Sequence, residues 1–193
     1  LSGGILNNLT RPYGDAAIAA MSVVNRFSAL IMCVGLGIGQ GFQPVAGFCF
    51  GAKQFERVRK SYYFTLFIST LIQLLFAVLL FFFARHTVQL FQKAHEVVQV
   101  GTRAIRFYAL SLPFLPLSVV TNMLLQVTGK NKQSIFLSSC RQGIFFLPLI
   151  FLLPRSFGIT GLELSQPLAN LLSGLIAIPF LVQARFTYQD KTY

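Results

Sequence analysis

The sequence predicts an all-α integral membrane protein, a polytopic bundle of about five transmembrane helices plus a partial one. Three observations lead there. Of 193 residues, 54% are hydrophobic and 11% charged, where a soluble globular chain carries about 25% charged residues. Mean hydropathy is +0.66, and a water-soluble fold of this make-up would lack the polar surface to cover itself. Charge is also excluded from long stretches: Phe27 to Ala52, Ser61 to Ala84, Phe107 to Gly129 and Leu164 to Ala184 contain none, and Gln133 to Pro154 contains Arg141 alone. A hydrocarbon core of roughly 30 Å needs about 20 apolar residues as helix. The 21 Phe, with abundant Leu, Ile and Val, exclude intrinsic disorder.

The elements follow in order as spans over 19–47, 61–84, 104–128, 133–154 and 162–185. Residues 1–14 read as the tail of a truncated helix and an outer loop, because Leu1 to Leu9 is too short to span and Tyr13-Gly14 reads as a turn. The chain starts at Leu1 with no Met and no signal-peptide pattern, which suggests a piece of something longer. Lys53, Glu56, Arg57, Arg59 and Lys60 fill the first connection, Arg85 to Arg106 the second, Gly129 to Lys132 the third and Pro154 to Gly161 the fourth. With no Trp, an interfacial aromatic belt would rely on Tyr62, Tyr63 and Tyr108.

Loop charges set the orientation. Lys53, Arg57, Arg59, Lys60, Lys130, Lys132, Arg185 and Lys191 gather on one side, against Arg11, Arg85, Lys93, Arg103, Arg106 and Arg155 on the other. The dense Lys53–Lys60 cluster places its side, and the C-terminus, in the cytoplasm. The net charge of +11 therefore flanks spans and makes no single basic patch interleaved with aromatics, which disfavours nucleic acid as a partner. Cys33, Cys49 and Cys140 have neither metal-ligand nor disulfide spacing. His86 and His95 lie in a connection without a third ligand. No phosphate loop, zinc-protease motif or nucleophile elbow occurs, so the reading is not an enzyme.

Polar residues inside the spans form stripes. Ser111, Ser118, Asn122 and Gln126 share a face of the third span; Thr65, Ser69 and Gln73 one of the second; Gln166, Asn170 and Ser173 one of the fifth; Gln40 and Gln43 one of the first. An unpaired amide is costly in hydrocarbon, so each face should meet another helix or water. Any single residue could serve only helix assembly; four stripes together favour a polar cavity. Phe42, Phe107 and Phe114 would offer it aromatic surface. Arg141, about 12 Å from the cytoplasmic edge, is an intramembrane charge that either functions there or snorkels outward. No Asp or Glu falls well inside a span: Asp15 and Glu163 sit near outer ends, Glu56 and Asp190 in cytoplasmic segments. Pairs of glycines four apart (Gly35/Gly39, Gly37/Gly41, Gly47/Gly51) allow close helix approach, and Pro44, Pro113 and Pro116 are candidate bending points.

Several of these residues form a recognisable order. Tyr13-Gly14-Asp15-Ala16-Ala17-Ile18-Ala19-Ala20-Met21, then Gly37-Ile38-Gly39-Gln40-Gly41-Phe42-Gln43-Pro44-Val45-Ala46-Gly47-Phe48, Gly51-Ala52-Lys53 and Arg57-Val58-Arg59-Lys60 resemble the multidrug and toxic compound extrusion (MATE) family. Thr128-Gly129-Lys130, Arg141-Gln142, Pro148 and Gly158-Ile159-Thr160-Gly161 fall where that family has similar residues. The likeness follows the C-terminal six-helix lobe of a twelve-helix transporter, closest to the bacterial multidrug-export branch. It implies a multi-pass protein of the bacterial inner membrane, with spans eight to twelve and residues 1–9 ending span seven. It implies antiport: export of small cationic and amphipathic drugs by alternating access, driven by Na+ or H+, with no covalently bound cofactor. The partners would be the lipid bilayer, the drugs and a missing N-terminal lobe. The coupling site is expected outside this chain, since the matching part of span ten, around Leu117, is apolar. Two other readings stay open, a lipid-linked oligosaccharide flippase of the same superfamily and a non-transporting membrane helix module.

Overall fold

The computed structural model describes residues 15–91 and 94–189. Residues 1–14, with the truncated helix and Arg11 expected there, lie outside them, as do Lys93, Asp190 and Lys191. The described residues are almost entirely helical: α1 Asp15–Gly51, α2 Phe55–Gln89, α3 His95–Ser111, a 3-10 turn Leu112–Phe114, α4 Leu115–Val127, α5 Asn131–Ser139, a π-helical turn Cys140–Ile144 and α6 Phe146–Gln189. Four helical stretches are long and apolar enough to cross a membrane: Ile18–Gly51, Phe55–Gln89, His95–Val127 and Phe146–Leu181.

The last of these is two arms. Gly158 has φ 59° and ψ −136°, a conformation open to glycine and strained for any other residue. Sixteen residues of straight helix would span about 24 Å, yet the Ser165 hydroxyl donates to the Leu149 carbonyl at 3.3 Å. The chain therefore doubles back near Gly158, where the sequence places a turn. A Cβ on Gly161 would collide with the backbone carbonyl of Leu153, so the two arms meet backbone to backbone.

Two connections use one device. Lys53 takes φ 59° and Gly129 φ 75°, each letting the next backbone N–H reach back five residues, Gln54 to Cys49 at 2.8 Å and Lys130 to Leu125 at 2.9 Å. That closure satisfies helix-end carbonyls and reverses the chain within a few residues. The second connection is shorter than the span of Arg85 to Arg106 suggests. α2 runs on to Gln89, and α3 begins at His95 because Val97, Val98, Gly101, Ala104 and Ile105 form a buried helical face. Charge density hides this amphipathic start.

The combined α3–α4 path is the centre of the bundle, 61% of its most apolar window being buried against 22% for α2. Ile105, Leu112 and Val120 are among its fully buried side chains, and Ile150 and Leu162 of α6 are buried as well. α2 turns Phe64, Phe67, Phe82 and Phe83 outward, as a lipid-facing helix does. The tyrosine belt needs correction: Tyr62 and Tyr108 are buried, and Tyr63 alone of the three is exposed. Tyr62 shares a 2.8 Å hydrogen bond with Thr121 and Tyr108 donates to the Ser28 carbonyl at 3.4 Å, because a phenol that finds a partner helix is better satisfied inside.

The glycine pairs also divide. A Cβ on Gly35 would stand 2.9 Å from the Gln73 amide nitrogen, and one on Gly39 would strike the Met123 sulfur. Gly37, Gly41, Gly47 and Gly51 have nothing within 4 Å of that position. Close packing of α1 thus uses one pair of the three.

Candidate functional site

Two of the polar stripes serve assembly at the positions the structure resolves. Gln73 donates to the Ile31 carbonyl at 3.3 Å, tying α2 to α1. Ser69 is fully buried beside it along α2. Asn170 on α6 donates to the Ser111 hydroxyl at 3.3 Å, and Ser173 donates to the carbonyl of Asn170 at 2.9 Å. Ser111 leaves the face of its own stripe because the 3-10 turn at Leu112–Phe114, carrying Pro113, changes the helical phase before α4 begins.

The stripes of α1 and α4 are different. Ser118, Asn122 and Gln126 keep their four-residue spacing along α4. Gln43 on α1 donates its amide to Gln126 Oε1 at 2.9 Å, an exposed bond. Asn122 donates to the Ser138 hydroxyl at 2.9 Å, and its own carbonyl oxygen accepts from Ser134 at 2.6 Å. Beside Asn122 and Ser138 lies a cavity of about 30 Å³ lined by Leu36, Ser118, Val119, Asn122, Met123, Leu137, Ser138 and Arg141. The structure therefore brings Asn122 and Arg141 into one cavity, with Gln43 and Gln126 paired a turn further along α4.

Arg141 reaches this place from the π-helical turn, in which the Phe145 N–H bonds the Cys140 carbonyl five residues back at 3.0 Å. One guanidinium N–H approaches the Met32 sulfur at 3.8 Å, a weak acceptor. Among the described residues no ion pair involves Arg141.

The other expected residues fall elsewhere. Gln40 is exposed on α1. Phe42 is 3% exposed and packs edge-on against Tyr62, ring centroids 6.2 Å apart, so it is a core residue and offers no aromatic surface. Phe107 is half-buried and Phe114 exposed, and neither lines the cavity; the backbone of Phe114 presses on Gly174, where a Cβ would come within 3.2 Å of its carbonyl. Pro44 sits inside α1, which runs unbroken to Gly51. Pro113 and Pro116 mark a real interruption, the 3-10 turn and the first turn of α4.

One residue has surroundings that its sequence position does not show. Glu163, placed near an outer end on sequence grounds, has its side chain wholly buried, with the Arg103 guanidinium at 3.9 Å. Neither carboxylate oxygen has a hydrogen-bond partner among the described residues. Arg103 itself is half exposed. Sequence position alone could not reveal this, because the cover comes from α3, some sixty residues earlier.

Comparison with known proteins gives the frame for this wall. A family model described as MatE matches residues 1–152. The multidrug export protein MepA of Staphylococcus aureus is 24% identical over 188 residues, which cover 96% of this chain and 41% of MepA. An FAD transporter of Shewanella oneidensis is 26% identical over 187 residues, covering 95% of this chain and 40% of that protein. The crystal structure of the Vibrio cholerae MATE transporter VcmN in its bent form superposes with a TM-score of 0.87 at 24% identity, over 97% of this chain and 43% of that one. The chain thus spans about two fifths of the length of the relatives it matches.

Proposed function

The chain belongs to the MatE family, and from that premise we propose that it is the C-terminal half of an alternating-access exporter of amphipathic organic compounds, cationic ones included, in the bacterial cell membrane. Five crossings carry it, the fold-back at Gly158 separating the last two, with the Lys53–Lys60 cluster and the C-terminus in the cytoplasm. Export is coupled to inward flow of Na+ or H+ in the intact transporter.

The observation that carries this reading is the wall built by α1, α4 and α5. An exposed glutamine pair and an Asn122–Ser134–Ser138 chain stand beside a cavity that also holds an arginine. Groups serving helix assembly alone would be sealed, as Gln73 is at 1% exposure. Half-open amides can exchange their mutual hydrogen bonds for bonds to water or to a passing solute at little net cost. A face of that kind suits a substrate that must bind and then leave. One relative is named a multidrug export protein and another an FAD transporter, and here apolar Leu36, Val119 and Met123 stand beside the polar Asn122, a mixed lining suited to an amphipathic compound. The interruption at Pro113 and Pro116 would be the bending point, since there the helix already lacks its regular bonding.

Gln43→Ala in the full-length transporter tests the wall. It should lower resistance of an efflux-deficient bacterium to ethidium at normal expression, because it leaves Gln126 without its partner and removes a contact from the passage. Unchanged resistance would take Gln43 out of the site.

A further inference from the structure

We propose that Arg141, together with the Ser138 hydroxyl, is an oxyanion subsite shaped for the carboxylate of an amphipathic substrate. The inference rests on the reading of this wall as a substrate passage and names a substrate class for it.

Three observations carry it. The first is charge. A guanidinium inside an apolar bundle is costly unless an anion or several acceptors meet it. Of the carboxylates with described contacts, Glu56 is held by Lys60 at 2.8 Å and Glu163 lies beside Arg103. Among the described residues its one hydrogen-bond contact is the Met32 thioether, so most of its five donors have no acceptor there.

The second is donor direction. Ser138 accepts the Asn122 amide through its oxygen, which leaves its own hydrogen free to donate. The Asn122 carbonyl oxygen is engaged by Ser134, and the Ser118 hydroxyl donates to the Leu115 carbonyl at 3.1 Å. The cavity therefore presents a cation and a hydroxyl donor, with its amide oxygen already accepting one hydrogen bond. Such a lining selects an acceptor.

The third is size and mounting. A cavity of about 30 Å³ holds roughly two water-sized atoms, at about 10–15 Å³ each. Two oxygens of that size are what a carboxylate offers to the paired N–H groups of a guanidinium. The apolar body attached to it would extend out past Leu36, Val119, Met123 and Leu137, which line the cavity. Arg141 stands on a π-helical turn, a deformation that recurs where a helix must aim a functional side chain.

The test uses three fluorescent probes with one ring system and different charge, pyrenebutyrate, pyrenebutanol and pyrenemethylammonium. Their binding to the full-length transporter in nanodiscs is followed by equilibrium dialysis against protein-free nanodiscs. The wild-type protein should hold pyrenebutyrate more tightly than pyrenebutanol. Arg141→Gln should weaken pyrenebutyrate about tenfold and leave pyrenebutanol within about twofold, a change matching loss of one charge-assisted pair. Arg141→Lys should retain part of the preference, as a point charge without the planar fork. Ser138→Ala should weaken pyrenebutyrate several-fold, and these two variants carry the test should Arg141→Gln not fold.

Equal weakening of all three probes by Arg141→Gln would overturn the inference, because it marks a packing role. Absence of any carboxylate preference in the wild type would do the same. Binding of pyrenemethylammonium without pyrenebutyrate would leave the exporter reading standing and remove the subsite alone. Binding of none of the three would remove both.

Discussion

A carboxylate sealed in a helix bundle with no hydrogen-bond donor among the described residues is an expensive thing to keep, and Glu163 is one. Its side chain is wholly buried and the Arg103 guanidinium stands at 3.9 Å, too long for a bidentate pair. Replacing an imperfectly paired buried ion by a well-packed apolar residue is often stabilising. Glu163→Leu should therefore raise the stability of the detergent-solubilised chain by about 1–3 kcal/mol, read as a higher melting temperature. Arg103→Ala should lower it modestly, by about 1 kcal/mol or less, since Arg103 is itself half exposed. A lower melting temperature for Glu163→Leu would show that the carboxylate has partners this geometry denies it. Hydropathy read along the chain sees only neighbours in sequence, and Glu163 sits close to Gly161 and a turn, where water is the default. Arg141 was legible for the opposite reason: it is the single charge in an otherwise apolar run, so no local context could excuse it. The pairing of Gln43 with Gln126, 83 residues apart, was legible only as two stripes that each needed a partner.

At the scale of the element, the glycines of α1 and α6 separate into those that touch a neighbour and those that do not. A Cβ on Gly161 would meet the Leu153 carbonyl and the backbone nitrogen of Pro154, and backbone cannot step aside as a side chain can. Gly161→Ala should cost stability at the upper end of about 1–3 kcal/mol, or stop the fold-back from forming. Gly37, inside α1 with open space beside it, should behave in the reverse sense. Gly37→Ala should gain up to about 1 kcal/mol from helix propensity. Melting temperatures of the two variants, measured side by side, check both signs; a stabilised Gly161→Ala would mean the two arms of α6 do not meet as described. The repeat of small residues every four positions singled out Gly35/Gly39 no better than Gly37/Gly41, because a helix has faces all round and spacing does not say which one has company. Similarly, the periodicity of Val97, Val98, Gly101, Ala104 and Ile105 was present in the sequence, but the charges of Arg103 and Arg106 made the start of α3 look like loop.

For the whole molecule, the legible part was the contrast between an oily exterior and a polar interior face. The charge-free runs dictated helices in lipid, and the ordered motifs along α1 carried the family. What could not be read was which stripe stays open, since that depends on how α1, α4 and α5 come together around the π-helical turn. The structure gives the two faces distinct chemistry. Phe67 and Phe82 point outward at 65% and 73% exposure among other aromatics, whereas Gln43 and Gln126 form an exposed amide pair. If the amide face borders water, a thiol placed there can ionise and react, while one among the phenylalanines meets hydrocarbon, where the thiolate is suppressed. In a full-length transporter with Cys33, Cys49 and Cys140 replaced by Ala, Gln43→Cys and Gln126→Cys should be labelled by a membrane-impermeant maleimide. Phe67→Cys and Phe82→Cys should stay inert under the same conditions and react only after detergent is added. Labelling at the Gln positions should fall when a transported drug is present in excess, because the drug occupies the same wall. Inert thiols at both Gln positions in every transport state, with the Phe positions equally inert, would show that the amides join helices and border no passage.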